Sequence, residues 1–335
     1  MGASVERRPG ADLGWAALRA LGGVAAPLSF LLIVVVALSF IARDEGFLSA
    51  LNWRNIVQAT AVVAILAVGQ TAVIILGHID LSVGRMLALS GVVSAVLMVD
   101  HGAGVLVGVL AACAAGMACG LVSGLLVTFG RMPAFIATLG MMGVAYGLAL
   151  RLSGDQNISG TAPGFEVFSI GVLTVPFTGL SVPTPLMVML SAAIAMHVLL
   201  SRTAMGRRVY AIGGNSDAAR LSGVSIRKTT LGVFALSGLM AGLAAVIHVS
   251  RTAGAQPTAG AGLELQAIAA AVIGGTSLRG GQGGVVGTLI GAFLMAVIQN
   301  GCDLKGVAPH WQFMLIGSVI WLAALHDSLR RRQTT

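Results

Sequence analysis

The sequence predicts an all-α polytopic membrane protein of about ten transmembrane helices, some short or re-entrant, with both termini in the cytoplasm. Three observations carry that reading. Of 335 residues, 56 % are hydrophobic and only 10 % charged, whereas ordinary globular domains carry about 25 % charge. Mean hydropathy is +0.93, so the chain lacks the polar surface that a cytosolic enzyme, a secreted domain or a disordered segment requires. The apolar residues fall in runs of bilayer length, and the basic residues sit in the short loops between them.

A helix needs roughly 20 apolar residues to cross the hydrocarbon core. Runs of that kind occupy residues 24–42, 55–77, 82–99, 103–129, 133–151, 184–200, 229–250, 264–277, 284–300 and 309–326. The 264–277 run is short for a full crossing and is open to a re-entrant path. The first run is long enough to span, so Arg7 and Arg8 ahead of it mark a retained helix rather than a cleaved signal peptide. The map gives one transmembrane domain, 1–335. Within it lie a cytoplasmic N-terminal segment 1–23, a periplasmic loop 153–183, a cytoplasmic loop 201–228 and a cytoplasmic tail 327–335. It puts 15 of the 20 basic residues inside and leaves Arg43, Arg54, Arg151, Arg251 and Lys305 outside, as the positive-inside rule demands. The net charge of +8 is therefore a record of membrane orientation, and no nucleic-acid partner is expected. Short runs in the periplasmic loop, such as FSIGVL, are candidates for strand pairing.

Small residues recur every fourth position at Gly104, Gly108, Ala112, Gly116, Gly120 and Gly124, and again at Gly283, Gly287 and Gly291. Such stripes let two helix backbones approach closely. They serve either a subunit interface or packing inside one subunit, and the second is the commoner use. The stretches 77–84 (GHIDLSVG) and 274–281 (GGTSLRGG) are faintly alike, and both fall at cytoplasmic ends of the map.

No catalytic constellation is present. Lys228 and Lys305 both lack the glycine-rich context of a phosphate-binding loop, and neither HExxH nor GxSxG occurs. Cys113, Cys119 and Cys302 have no metal-ligand spacing and read as small apolar fillers, so no metal or cofactor is expected. The spans are almost free of charge, which disfavours an ion-coupled carrier. The exception is Asp80 at the mouth of the third span. It caps the helix that follows by accepting from its first-turn amides, or it lines the pathway together with Ser82. The strongest signal is the 201–228 loop. Asp217, Ala218, Ala219 and Arg220 form a helix of about two turns, with Asn215 and Ser216 as candidate caps and Gly223 as its stop. A helix so short is unstable alone and needs a docking partner. Arg207, Arg208 and Arg220 suit carboxylates on that partner.

The sequence resembles the membrane-spanning permease subunits of bacterial ABC importers for ribose and other simple sugars. Four segments carry the resemblance: GHIDLSVGRMLALSG, MPAFIATLGMM, TAMGRRVYAIGGNSDAARLSGVSIRK and LQAIAAAVIGGTSLRGGQGGVVGTLIGA. Asp217, Ala218, Ala219 and Gly223 match the Glu-Ala-Ala-x-x-x-Gly mark of the family's cytoplasmic coupling loop, and Thr138 falls in its Pro-x-Phe-Ile-Ala-Thr-Leu-Gly stretch. His78 stands where the family usually has Gly, and Arg279 and Gln282 also depart from its pattern. The resemblance implies a multi-pass bacterial inner-membrane protein that is not itself an enzyme. It implies ATPase contact through Arg207, Asn215, Asp217, Ala218, Ala219, Arg220 and Gly223, and a pathway or cap role for Asp80, Ser82 and Thr138. The implied partners are an ATP-binding cassette subunit with two nucleotide-binding domains, a periplasmic sugar-binding protein, a second permease copy and membrane lipid. A nucleoside, an autoinducer sugar or a branched-chain amino acid is the alternative cargo. An ion-coupled secondary carrier is the alternative class.

Overall fold

The computed structural model describes residues 9–174 and 181–332. Arg7 and Arg8 of the expected N-terminal segment, residues 175–180 of the periplasmic loop and residues 333–335 of the tail lie outside the described residues. In chain order the elements are α1 (Pro9–Ile41), α2 (Ala50–Ile75), α3 (Val83–Val99), α4 (Val105–Thr128), α5 (Ala134–Ser153), β1 (Ile158–Ser159), α6 (Val167–Ile170), β2 (Val172–Thr174), β3 (Ser181–Pro183), α7 (Thr184–Arg202), α8 (Ala204–Gly214), α9 (Ser216–Leu221), α10 (Ile226–Thr252), β4 (Gly254–Ala255), α11 (Leu263–Ile273), α12 (Val285–Leu304) and α13 (Pro309–Arg332). A helix lies on each of the ten apolar runs. Among the described residues, six helices (α2, α4, α5, α7, α10 and α12) are long and apolar enough to cross a membrane.

Burial sorts the helices. The apolar stretch of α2 is buried almost throughout, and α10, α11 and α12 pack around it. That is the position expected of a helix that is apolar on every side. In contrast, α1, α4, α5 and α13 carry exposed large side chains such as Phe40, Leu106, Phe135 and Trp321. In a membrane protein such faces meet lipid or another chain. The small-residue stripes work inside the chain. A Cβ on Gly116 or Gly120 would overlap carbonyls of Gly238 and Phe234 in α10, and one on Gly287 or Gly291 would overlap Gly274 and Ala270. Gly104, the first of the first stripe, faces open space.

The structure adds detail to three segments. The first helix begins at Pro9, so residues 9–23 of the expected N-terminal segment are helical. The 201–228 loop holds two helices, α8 and α9, because Asn215 breaks between them with φ −157° and ψ 102°. FSIGVL splits between α6 and β2; β2 pairs with β3 within the loop, and β1 pairs with β4, which follows α10.

The short α11 has a structural counterpart. Its 11 residues reach only about 16 Å at 1.5 Å per residue. Ahead of it, residues 256–262 run into the bundle until Gly260 meets Gly84, the second residue of α3, backbone to backbone. The N-termini of α3 and α11 therefore meet inside the protein. Arg85, which the sequence map counts on the cytoplasmic side, donates to Thr258 O at 3.1 Å and lies 4.3 Å over the Tyr146 ring. Asp80 and Ser82 are buried in this turn, while Gly77 ahead of them is exposed.

Candidate functional site

One end of the bundle gathers the C-termini of α2, α8 and α11. The last turns of α2 and α11 close alike. Gly77 N bonds Ile74 O and His78 N bonds Val73 O, while Gly275 N bonds Val272 O and Thr276 N bonds Ala271 O, all at 2.9–3.0 Å. Gly77 and Gly275 both take φ +90°, the left-handed position that closes such caps. The caps align Gly77 with Gly275, one residue out of the register in which 77–84 and 274–281 look alike, so the letter match is not the structural one. The two turns also touch. Gly281 N donates to Ile75 O at 2.8 Å, a Cβ on Gly280 would sit 3.0 Å from Gly77 Cα, and one on Gly213 of α8 would overlap Ile75 O. Tyr210 of α8 donates to Gly283 O at 2.8 Å. Burial pushes its phenol pKa up, which keeps it a donor.

From this anchored α8 the chain turns into α9. The Asn215 side chain accepts from Asp217 N at 3.1 Å and Ala218 N at 2.9 Å, so Asn215 is the cap and Ser216 the first helical residue. The helix stops at Ser222; Gly223 follows with φ +78°, and Val224 N bonds Ala219 O at 3.0 Å. Ala219 alone is buried, against the protein. Asp217 and Arg220 pair at 2.9 Å on the outer side, where Leu221 is 87 % exposed. Arg207 and Arg208 are exposed on α8. Arg220 also borders a cavity of about 1070 Å³ shared with His78, Arg131 and Arg227.

Asp80 is fully buried. It does not accept from first-turn amides of α3. Its Oδ1 accepts from Ser82 N at 2.9 Å and Ser82 Oγ at 2.5 Å, and its Oδ2 accepts from Ser237 Oγ of α10 at 3.1 Å. The Gln70 carboxamide of α2, oriented to suit its neighbours, donates to Asp80 O at 3.2 Å and accepts from Asp80 N at 3.1 Å. A buried carboxylate is costly unless hydrogen-bonded; Ser82 at the N-cap of α3 and Ser237 of α10 supply its donors, while Gln70 of α2 holds the Asp80 main chain. Thr138 of α5, also buried, donates mainly to Ala134 O of its own helix at 2.9 Å, with Ile79 O 3.4 Å away. The structure therefore brings Asp80, Ser82 and Thr138 to one turn and leaves the α9 residues together on the surface.

The opposite end holds a feature that the sequence reading missed. The N-termini of α2 and α11 and the C-termini of α10 and α12 surround a cavity of about 520 Å³. Asn52 and Asn300 clamp its wall, exchanging hydrogen bonds of 3.0 and 2.8 Å. Gln266 is 5 % exposed, and its Oε1 has no partner. The amide-rich positions Asn52, Asn55, Gln266, Gln299 and Asn300 were the available signal, but α2 lies about two hundred residues from the consecutive helices α11 and α12 that supply the rest.

Comparison with known proteins follows the same lines. Residues 52–324 match the family model described as branched-chain amino acid transport system / permease component. The chain is 43 % identical over 305 residues to the ribose import permease protein of Escherichia coli (strain K12), covering 90 % of this chain and 92 % of that one. It is 41 % identical over 300 residues to the ribose import permease protein of Bacillus subtilis (strain 168), with 89 % and 90 % covered. It is 34 % identical over 358 aligned positions to the xylose transport system permease protein of Escherichia coli (strain K12), with 90 % and 91 % covered. No solved structure matches significantly.

Proposed function

We propose that this chain, which belongs to the family described as branched-chain amino acid transport system / permease component, is the transmembrane permease subunit of an ATP-driven importer for a simple sugar. The ribose and xylose relatives favour a pentose over an amino acid or nucleoside. The observation that carries the mechanism is α9, a capped helix projecting its Asp217, Arg220 and Leu221 face from the glycine-packed end of the bundle. Two α9 helices, one from each of two permease copies, seat in the two nucleotide-binding domains of the ATP-binding cassette subunit. A periplasmic sugar-binding protein docks at the other end. In this reading the chain crosses the inner membrane ten times with both termini inside. The extended leads into α3 and α11 complete the crossings that those helices are too short to make.

ATP binding then moves α9 as a rigid lever. The motion passes through the Gly213 contact and the Gly281–Ile75 hydrogen bond to α2 and α12, and through Asp80 to α10. Packed helices shift between discrete arrangements rather than deforming, so such a push switches access from one face to the other. The test is reconstitution. D-Ribose or D-xylose uptake into proteoliposomes should need ATP, the ATPase subunit and the binding protein together. Uptake by this chain alone on a proton or sodium gradient would establish the secondary-carrier reading instead.

A further inference from the structure

We propose that Arg85 and Tyr146, on the open face where α3, α5 and residues 256–262 come together, form a contact for the hydroxyl groups of the cargo, with the Arg85 guanidinium as donor. This rests on the importer reading: a second permease copy closes the space in front of that face, and the solute passes between the two chains.

The position of the charge is the observation. Tyr146 lies 12 residues after Ala134 and 7 before Ser153 in α5. At 1.5 Å per residue it stands about 18 Å from one end of that helix and about 10 Å from the other. In the ten-span reading α5 crosses the bilayer, which sets the ring within the hydrocarbon layer. Arg85 Cζ lies 4.3 Å from the ring centroid. A guanidinium at that depth is too costly to face lipid, and such groups line water-filled or protein-closed space. Its own helix adds to the cost. Arg85 is the third residue of α3, and the positive end of a helix dipole repels a cation. Among the described residues no carboxylate forms an ion pair with it; Glu264, which borders Gly84, accepts from Gly262 N at 3.2 Å. The ring and the Thr258 carbonyl, 3.1 Å from the guanidinium, hold it in place. A carboxamide would bond that carbonyl without the cost of a charge, so packing does not explain an arginine here.

The face leaves room for a solute. Gly140, Gly143 and Gly147 of α5 are exposed, and a Cβ on any of them would meet nothing within 4 Å. Gly143 and Gly147 fall on either side of Tyr146, one turn apart. Thr258 is exposed as well. The chemistry then selects a class. A guanidinium has five N–H donors and no acceptor, and Thr258 O takes one of them. The others suit hydroxyl oxygens, and two hydroxyls on adjacent carbons match the planar fork. The tyrosine ring adds apolar surface for the C–H side of a polyol. The same charge repels cations, so the contact fits a neutral polyhydroxylated solute.

The experiment uses the assembled importer in proteoliposomes, with D-ribose and D-xylose as probes. Arg85→Gln keeps a donor for Thr258 O but loses the charge and the fork. Uptake should fall at least fivefold, while ATP hydrolysis stimulated by the binding protein stays within twofold of the parent and the melting temperature is unchanged. Uptake within twofold of the parent would overturn the proposal. So would uptake and ATP hydrolysis falling in step, which marks a structural pin. Absence of sugar uptake by the parent complex would count against the importer reading instead. In that case, or if the variant melts lower, a second measurement decides. With the three native cysteines replaced by alanine, Gly143→Cys is exposed to membrane-impermeant methanethiosulfonates on both sides of the bilayer. It should react, and it should favour the anionic sulfonatoethyl reagent over the cationic trimethylammonium reagent at least threefold more than glutathione does. No reaction, or a preference equal to that of glutathione, takes the guanidinium off an aqueous face and sinks the proposal.

Discussion

Ser237 Oγ donates to Asp80 Oδ2 at 3.1 Å, tying the turn between α2 and α3 to the middle of α10. The acid thereby belongs to the packing of three helices, whatever else it does. Ser237→Ala removes one donor to a fully buried carboxylate and should cost about 1–3 kcal/mol. Asp80→Asn replaces one acceptor oxygen with a donor, which Ser237 Oγ can meet only by giving up its own donation, and should cost a comparable amount. Thermal unfolding in detergent checks both. An unchanged melting temperature with transport lost would move Asp80 from a pin to a pathway group.

The α4–α10 contact predicts a contrast between glycines. Gly116→Ala forces a methyl group into the Gly238 carbonyl of α10, whereas Gly140→Ala in α5 meets nothing within 4 Å. The first should destabilise by about 1–3 kcal/mol or more, as overpacking does. The second should leave the melting temperature unchanged or slightly raised, since alanine favours helix more than glycine does. Equal effects would mean that the two helices do not meet as described.

The lever has two parts that mutation can separate. Asn215→Ala removes the cap from α9 and should cost about 1 kcal/mol locally. Asp217→Arg combined with Arg220→Glu keeps the internal ion pair but inverts the face shown to a partner. Both should insert normally, and the double variant should lose stimulation of the ATPase subunit by the binding protein. Normal stimulation in the double variant would remove α9 from the coupling role.

Gly213→Ala tests transmission rather than grip. Its Cβ would overlap Ile75 O, so α8 must move off α2 while α9 keeps its own cap. The expected result is retained binding of the ATPase subunit with uptake per ATP hydrolysed falling severalfold, measured in proteoliposomes. A full loss of subunit binding would place the defect in α9 instead.

At the opposite end Lys305 Nζ lies 2.6 Å from Glu45 Oε1. That hydrogen bond, more than simple charge proximity, holds the Glu45 carboxyl below its ordinary pKa. A lowered folded-state pKa means that the stabilisation is complete above the ordinary carboxylate value and is lost as pH falls through the lowered one. Lys305→Gln should remove that acid-side loss, which melting curves between pH 6 and pH 3 would read as a flatter profile at the acid end, on the order of a degree or two given the exposure of the pair.

Local chemistry determined what neighbouring residues decide among themselves. Apolar runs place a helix on every expected segment, because each must satisfy its own backbone in lipid. Asn215 and Gly223 bound α9 as their side chain and backbone freedom require. The every-fourth-residue stripe of α4 is a packing surface whichever partner it meets. Partner choice was decided only by the tertiary structure: Gly116 on Gly238, Gly84 on Gly260, Asp80 on Ser237. It set Asp80 against Ser237 rather than against the first-turn amides of α3, and it brought amides from α2 beside those of α11 and α12 around one cavity. The reason is that spacing along a chain fixes which residues share a face, whereas which faces meet depends on contacts between segments more than a hundred residues apart.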